Sequence, residues 1–262
     1  MLDFHEQRIL VLGKTYPSYS QTHGEVSCAG GLVEGTWEMV RLHPINFRDL
    51  PKEKQFKHWQ WIRARVAKDE RDPRPESLRI DVDSIVLEEH IESHEKRRSY
   101  LEGCPSRFAS VEALKDANES RGTSLGIVEP QELRGCDVKP RDERERTEWE
   151  RTEWQMMSQG RLFDPGVRKI DFPDQVFYVK WTCKDSRCSG HEMSFHDWSL
   201  HELSRKLDRD SDRVKKVRTK MEQMLNQKKR DLYLMLGNFR GRTYQFGLMG
   251  VLSVPHAQAR LF

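Results

Sequence analysis

The chain has 262 residues, of which 33% are charged and 36% hydrophobic, and its formal net charge is +3. This length suits one large domain or two small ones, and the aromatic content of 9% argues against wholesale disorder. The small positive charge neither requires nor excludes a nucleic-acid partner, so local clusters must decide. We expect a cytoplasmic protein, because the sequence has no membrane-length apolar run, no signal-peptide pattern and no disulfide framework for its five cysteines.

Strand patterns dominate residues 1–133, which we predict to be a β-rich half. The patterns cover residues 8–13, 26–33, 37–42, 57–67, 78–82 and 124–128. The second and third should form a hairpin that ends in residues 43–48, because the proline in this segment cannot donate within a ladder. Residues 57–67 have a helix as the alternative. Residues 84–100 have helical spacing, and residues 110–118 predict a short helix with Ser110 as its N-cap.

A charge-dense block at residues 134–160 separates this half from a second one at residues 161–262. The block contains a tandem duplication, RTEWE then RTEWQ, which predicts an exposed helix or a mobile connector. Its two tryptophans, Trp149 and Trp154, could stack on a base or dock on the other half. The second half reads as a strand at 176–181, a mostly helical run at 194–229, and paired strands at 231–237 and 245–254. Strands and helices do not alternate regularly, so the predicted fold class is α+β.

One stretch, CKDSRCSGHEMSFHDW at residues 183–198, carries two cysteines and two histidines and is called the Cys/His loop here. Zn²⁺ prefers four N or S ligands in a tetrahedron, so we predict a structural zinc site at Cys183, Cys188, His191 and His196. The spacing is not one of the common zinc-finger orders. The alternative is two ordinary thiols beside a histidine that is hydrogen-bonded to the backbone.

Three carboxylates are candidates for catalytic work, namely Glu25, Asp72 and Asp197. Asp197 stands beside Trp198, and a carboxylate against an aromatic wall can have a raised pKa or stabilise an oxocarbenium ion. Asp197 also begins a predicted helix, where interaction with the helix dipole is the alternative. Further side chains of the first half suit a DNA-binding pocket that stacks a base and anchors a phosphate. These are Tyr16, Ser18, Arg41, Arg48 and Arg74.

The C-terminus, QARLF, resembles the pentapeptide that binds the bacterial sliding clamp. In such a peptide Leu261 and Phe262 would fill an apolar groove, while Gln258 would supply oriented hydrogen bonds. Ala259 departs from the usual leucine and would weaken the affinity. The alternative is a hydrophobic tail that packs on its own domain.

Five segments carry a resemblance to known proteins, namely KTYP, RLHPINFR, DPRPES, the Cys/His loop and QARLF. Together they resemble a family of bacterial proteins found in mobile and phage-defence neighbourhoods. The chain is also similar to phage-defence DNA glycosylases that excise glucosylated hydroxymethylcytosine, although no catalytic motif of that group matches residue by residue. The resemblance implies a hydrolase that acts on double-stranded phage DNA without a catalytic cofactor and leaves abasic sites. The alternatives are a non-catalytic, zinc-stapled reader of DNA or RNA, and a nuclease, for which the sequence has no two-metal carboxylate signature.

Overall fold

The structure is a computed structural model that describes residues 2–20, 24–158 and 169–256. Its architecture is mixed α+β, which confirms the predicted fold class. The N-terminal part is a small barrel, and the C-terminal part is a mixed sheet that carries helices on one face.

Seven strands form the barrel sheet. Their bounds are β1 His5–Lys14, β2 Ser18–Ser20, β3 Gly24–Val33, β4 Met39–Ile45, β5 Gln60–Lys68, β6 Ser77–Ile80 and β7 Val86–His90. Five of these strands close the barrel in the order β1-β3-β4-β6-β5, because β5 also pairs with β1. The other two extend the barrel, β2 alongside β3 and β7 alongside β5. The barrel sheet also contains short 3-10 helices in its connections, at Phe47–Asp49, Lys52–Lys54 and Val82–Ser84.

Seven further strands form the second sheet. They are β8 Arg107–Phe108, β9 Leu125–Val128, β10 Glu132–Pro140, β11 Gln175–Thr182, β12 His191–Phe195, β13 Arg230–Phe239 and β14 Arg242–Pro255. Their order is β10-β11-β12-β14-β13-β9-β8, with parallel pairing at β12–β14 and at β8–β9. The helices are α1 His94–Glu102, α2 Val111–Arg121, α3 Glu143–Ser158, α4 Trp198–Lys206 and α5 Arg213–Met224. The two sheets therefore divide the strands between residues 90 and 107, whereas the sequence analysis placed the division at residue 133.

Strand β1 is apolar on both faces because both faces are buried. Ile9 and Val11 lie in the core of the barrel. Leu10 and Leu12 belong to a second apolar layer that also contains Met235 of β13. A strand buried on both sides reads as a continuous apolar run, as residues 8–13 do. This layer joins the barrel to the second sheet, and a third core packs α2, α4 and α5 against that sheet.

Several predicted elements are confirmed. Ser110 caps α2, since its hydroxyl accepts a hydrogen bond from the amide of Ala113 at 2.9 Å. The closing pair β13–β14 is antiparallel, as expected from the two apolar runs. The charged block contains a helix, α3. None of the helices in the described residues is long and apolar enough to cross a membrane.

The predicted hairpin does end within residues 43–48, but Pro44 lies inside β4 rather than after it. Strand β4 continues to Ile45, which pairs with Ser27, whereas Leu42 pairs with Ala29. This register shift gives β4 one extra residue, and such a bulge leaves the proline outside the regular ladder.

The helical prediction for residues 84–100 is wrong over its first half, where β7 pairs with β5. Helix α1 begins only at His94, after Ser93 has capped it through the amide of Lys96. The helix of the charged block likewise starts later than the block itself, because the first residues of the block belong to β10. This strand lies at the edge of the second sheet, and edge strands accommodate charged residues.

Candidate functional site

A cleft of about 830 Å³ opens between the barrel and the helical side of the second sheet. Its walls come from the β1–β2 loop with Tyr16, from α3, from α4 and from residues 169–175. A pocket of about 350 Å³ adjoins it and shares Tyr16, Trp149, Phe172 and His201. The two are described together as the interdomain cleft. Clefts of this size between domains are the usual sites of small ligands.

Aromatic rings form part of the wall of the interdomain cleft. The Trp149 ring packs beside Tyr19, with centroids 5.1 Å apart, and beside Phe172 at 5.7 Å. The Tyr16 ring, which also lines the cleft, lies 4.9 Å from that of His201. The indole Nε1 of Trp149 is buried and has no hydrogen-bond partner among the described residues. An indole N–H can only donate, and this one is enclosed by protein, so Trp149 contributes its ring rather than its N–H to the cleft lining.

Helix α3 is attached to the barrel through Tyr19. The Tyr19 hydroxyl donates to Glu153 Oε1 at 2.7 Å and accepts from the amide of Ile170 at 2.8 Å. Lys169 Nζ lies 3.5 Å from the same carboxylate. Only one face of this charged helix is docked, since the Trp154 side of α3 is exposed. The contact explains how a block of charged sequence contributes the aromatic wall of a cleft.

Most of the cations in the cleft are already paired. Arg213 forms hydrogen bonds to both oxygens of Asp174, at 2.5 and 2.9 Å, and Arg146 lies over the Phe172 ring at 4.6 Å. Lys206 and Arg209 line the cleft, are exposed, and make no hydrogen bond or ion pair within the described part of the chain. These two side chains are therefore free to meet an anionic ligand.

Two histidines of the cleft are neutral at physiological pH. Burial, reinforced by nearby His196 and Arg141, lowers the pKa of His201 to about 3. Burial, with Arg141 and Arg242 nearby, likewise lowers the pKa of His196 to about 4. His201 also packs on Phe177, with centroids 4.7 Å apart. Both side chains therefore act as uncharged aromatic rings rather than as cations.

The residues predicted to bind DNA do not all reach the cleft. Tyr16 and Ser18 line it, and Tyr16 donates to the carbonyl oxygen of Asp171 at 3.2 Å. Arg41 is buried between the two sheets, where its guanidinium donates to Ser77 Oγ at 3.1 Å and to Ser124 Oγ at 2.8 Å. This network ties the barrel to the second sheet.

The other two predicted arginines each hold one of the predicted catalytic carboxylates. Glu25 is only 2% exposed and accepts three hydrogen bonds from Arg48, at 2.6 to 2.9 Å. Asp72 accepts from Arg74 at 2.6 and 2.8 Å, and Arg74 also donates to the carbonyl oxygen of Asn238 at 3.2 Å. Burial alone would raise the pKa of Asp72, but the hydrogen bonds and charge of Arg74 hold it well below its usual range.

Asp197 is buried and caps α4. Its carboxylate accepts from the amides of Ser199 at 2.8 Å and Leu200 at 3.2 Å. Among the residues described as lining the interdomain cleft, none of the three predicted carboxylates occurs. Each of them has a structural partner instead.

A second group of side chains can hold a metal ion. Four side chains each place one ligand atom within 4.8 Å of the others, namely Glu112, Cys183, Cys188 and His191. Both cysteine Sγ atoms lie 3.2 Å from His191 Nε2, and Glu112 Oε1 lies 3.6 Å from it. Zinc bonds of about 2.3 Å to sulfur and 2.0 Å to nitrogen, at the tetrahedral angle, separate those two atoms by about 3.5 Å. The spacing therefore fits a tetrahedral ion.

The β11–β12 connection and its edges supply three of these ligands, and α2 supplies the fourth. Cys183 directly follows β11, Cys188 lies in the turn after it, and His191 opens β12. Glu112 comes from the first turn of α2, and its Oε2 is buried with no hydrogen-bond partner among the described residues. A buried carboxylate oxygen without a partner is costly, and a cation would satisfy it.

His196, predicted as the fourth ligand, is not part of this group. Its Nε2 lies 2.7 Å from Ser194 Oγ, and its ring packs on Phe239 at 5.2 Å. Burial raises the pKa of the Cys183 thiol to about 12, so a bound metal would have to displace its proton. The predicted clamp-binding residues, Gln258, Leu261 and Phe262, lie outside the described residues.

Residues 107–262 match the model of a family described as a domain of unknown function, DUF8757. The chain belongs to the DUF8757 family. Residues 5–103 match a second domain of unknown function, DUF8758. The DUF8758 part contains all the strands of the barrel, and the DUF8757 part contains the second sheet and the metal-ligand group. No curated protein gives a significant match to this chain.

Several site residues of the DUF8757 part escaped the sequence analysis. Glu112 belongs to an ordinary helix, and nothing in its sequence neighbourhood indicates a metal ligand. His201 and Phe172 contribute rings to the cleft, but each occurs alone in its segment. Trp149 did not escape, because a tryptophan in a charge-dense block is unusual and indicated a contact.

Proposed function

We propose that this protein binds DNA and takes one nucleotide, flipped out of the duplex, into the interdomain cleft. The observation that carries the proposal is the combination of aromatic rings and unpaired cations on one cleft. Every nucleobase has a π-face that stacks on aromatic side chains. Tyr16 and Trp149 both line the cleft and offer such rings.

The phosphates beside the flipped nucleotide would contact Lys206 and Arg209. Both side chains are exposed at the cleft, and neither is engaged elsewhere in the described part of the chain. Cations that neutralise phosphates release counterions, so binding should weaken as salt rises.

Fluorescence anisotropy with labelled DNA tests the binding. The probes are a fully paired duplex, the same duplex with one unpaired nucleotide, and a single strand. Trp149→Ala should weaken binding about tenfold, because stacking on an aromatic side chain is lost. Trp154→Ala is the matched control, since Trp154 belongs to the same helix but is 69% exposed and does not line the cleft. Equal affinities of the wild type and Trp149→Ala for every probe would overturn the proposed site.

The reaction that the resemblance implies is hydrolysis of an N-glycosidic bond in glucosylated hydroxymethylcytosine of phage DNA. Water adds to C1′, the base leaves with a proton, and an abasic site remains. We propose Glu153 as the carboxylate that orients the water or stabilises the positive charge. Its support is position, since Glu153 lines the cleft and accepts the Tyr19 hydroxyl hydrogen bond.

A product assay separates the candidate activities. Unmodified DNA, uracil-containing DNA and DNA with glucosylated hydroxymethylcytosine are incubated with the protein and then treated with alkali. Strand breaks that need the alkali, and that Glu153→Gln abolishes, support excision. Glu150→Gln is the control, because Glu150 is another cleft-lining carboxylate of α3. Breaks without alkali indicate a nuclease, and no product despite binding leaves a non-catalytic reader as the function.

We also propose that Glu112, Cys183, Cys188 and His191 hold a structural zinc ion. Two thiolates and an imidazole favour Zn²⁺ over the hard cations, and four protein ligands leave no open coordination position. Metal analysis of the purified protein should give one zinc per chain. A Cys183→Ser, Cys188→Ser double variant should lose the zinc and melt at a lower temperature. A metal-free wild type that does not bind added zinc would rule the proposal out.

The C-terminal QARLF is proposed to bind the sliding clamp, which would deliver the protein to replicating DNA. Tethering of this kind raises effective concentration without adding sequence specificity. Removing the two anchor side chains, in Leu261→Ala with Phe262→Ala, should abolish binding of the full chain to purified clamp. Unchanged clamp binding would exclude this tail as the contact.

A further inference from the structure

The tip of the β13–β14 hairpin presents the aromatic ring of Tyr244 to solvent. Phe239 pairs with Arg242 across a two-residue turn, and Gly241 takes the positive φ of +79° that this turn needs. The next pair is Asn238 with Phe246, so residues 243–245 of β14 have no partner residues in β13. These three residues form a bulge. Bulges of this kind redirect side chains beside functional sites.

The hairpin tip is defined as residues 239–245. Its root, Asn238, is fixed by both parts of the protein. The buried side chain of Asn238 donates from Nδ2 to the carbonyl oxygen of Thr243 at 2.8 Å. The backbone amide of Asn238 donates to the carbonyl oxygen of Ser124 at 3.0 Å, and its carbonyl accepts from Arg74 at 3.2 Å. The tip therefore projects from an anchored base rather than from a free loop.

The side chains of the hairpin tip are exposed and cationic. Tyr244 is 75% exposed. Arg242 makes no hydrogen bond or ion pair with any described residue, and the hydrogen bond of Arg240 is a long one of 3.4 Å to the carbonyl oxygen of Arg71. Residues 239–245 include no carboxylate. An exposed ring flanked by two unneutralised guanidinium groups matches a base with its two neighbouring phosphates.

The hairpin tip adjoins the interdomain cleft. The Phe239 ring packs on the His196 ring, with centroids 5.2 Å apart, and His196 lines the cleft together with Tyr16 and His201. A ligand that extends out of the cleft past His196 would therefore meet the hairpin tip.

We infer that the hairpin tip is a second DNA-contacting element, in which Tyr244 stacks on a base next to the nucleotide in the cleft and Arg240 and Arg242 contact the flanking phosphates. This inference rests on the proposed function and adds a surface to it. The partner is duplex DNA with a disrupted base pair, because the bases of a fully stacked duplex have no π-face free for Tyr244. Removing one stacking ring is expected to weaken such binding about tenfold.

The test uses the full chain and two labelled duplexes, one fully paired and one with a single unpaired nucleotide. Tyr244→Ala should lower affinity for the unpaired duplex about tenfold and affect the paired duplex less. Tyr244→Phe keeps the ring and should bind like the wild type. Arg240→Gln with Arg242→Gln should weaken binding to both duplexes and reduce the salt dependence. Melting temperatures of the variants check that the fold is unchanged.

The outcomes distinguish this inference from the proposed function. If Tyr244→Ala binds the unpaired duplex like the wild type while Trp149→Ala does not, the hairpin inference fails and the cleft stands. If Tyr244→Ala and Tyr244→Phe lose affinity equally, the ring does not stack and the inference also fails. If the wild type binds neither duplex at any salt concentration, the proposed function itself fails and the inference fails with it.

Discussion

Glu112 Oε1 lies 3.6 Å from His191 Nε2, although the two residues belong to α2 and β12, which are far apart in sequence. The contact closes a group that the Cys/His loop alone leaves with three ligands. It also fastens α2 to the turn between β11 and β12. The same helix start is held a second time, because the Ser110 hydroxyl donates to Asp185 Oδ2 at 2.8 Å.

Replacing Glu112 by glutamine tests this contact. The neutral amide is a poorer zinc ligand than a carboxylate, so Glu112→Gln should weaken zinc binding. Loss of an outer-shell partner typically costs about 10- to 100-fold in metal affinity, and loss of a ligand should cost at least as much. Competition with a chromogenic chelator measures the affinity. Glu119→Gln, on an exposed position of the same helix, is the control, and an equal affinity of both variants would remove Glu112 from the ligand set.

Two neighbouring aspartate–arginine pairs allow a matched stability test. The Asp72–Arg74 pair is buried, with side chains 11% and 8% exposed, whereas Arg71 in the Asp69–Arg71 pair is 64% exposed. Asp72→Asn leaves a buried guanidinium without its counter-charge and should destabilise the fold by about 3–5 kcal/mol. Asp69→Asn should cost about 0–1 kcal/mol. Urea unfolding measures both, and similar losses would mean that Asp72 has no special structural role.

Acid should destabilise the protein through His201. Its folded pKa of about 3 lies below the usual 6.5, so the unfolded chain binds an extra proton between these values. Stability is therefore lost as pH falls below about 6.5, on the order of 2 kcal/mol per such histidine at pH 5. His201→Phe keeps an aromatic ring between Tyr16 and Phe177 without a titrating group. The variant should lose less stability than the wild type between pH 8 and pH 5, and equal losses in unfolding experiments would contradict the assignment.

Salt dependence tests the phosphate contacts of the cleft. Each phosphate contact adds about 0.9 to the slope of log affinity against log salt for duplex DNA. Lys206→Ala with Arg209→Ala should therefore reduce the slope by about 1.8. Lys52→Ala with Lys57→Ala removes the same charge from exposed positions of the barrel that do not line the cleft, and its slope should match the wild type. If both double variants lower the slope equally, the effect is general charge and not a contact at the cleft.

The mixed α+β class, β1, the β13–β14 pair and the Ser110 cap were readable because each depends on residues close in sequence. The apolar run at 8–13 predicts a buried strand in any context, since both of its faces need cover. Strand pairing overrode local pattern in two places. Residues 86–90 look helical by spacing but pair with β5, and Pro44 stays in β4 because a bulge accommodates it.

By itself, the sequence determined where thiols, histidines and tryptophans are concentrated along the chain. Two thiols and a histidine within a short turn are local, and so is a tryptophan in a charged helix. Only the tertiary structure decided which partners these groups have. It brought Glu112 to the cysteines and directed His196 to Ser194 and Phe239. It also paired Glu25 with Arg48 and Asp72 with Arg74, and it assembled the rings of the cleft from four distant segments. The physical reason is that burial, ligand geometry and ion pairing depend on distances in space, which residue spacing along the chain fixes only within one element.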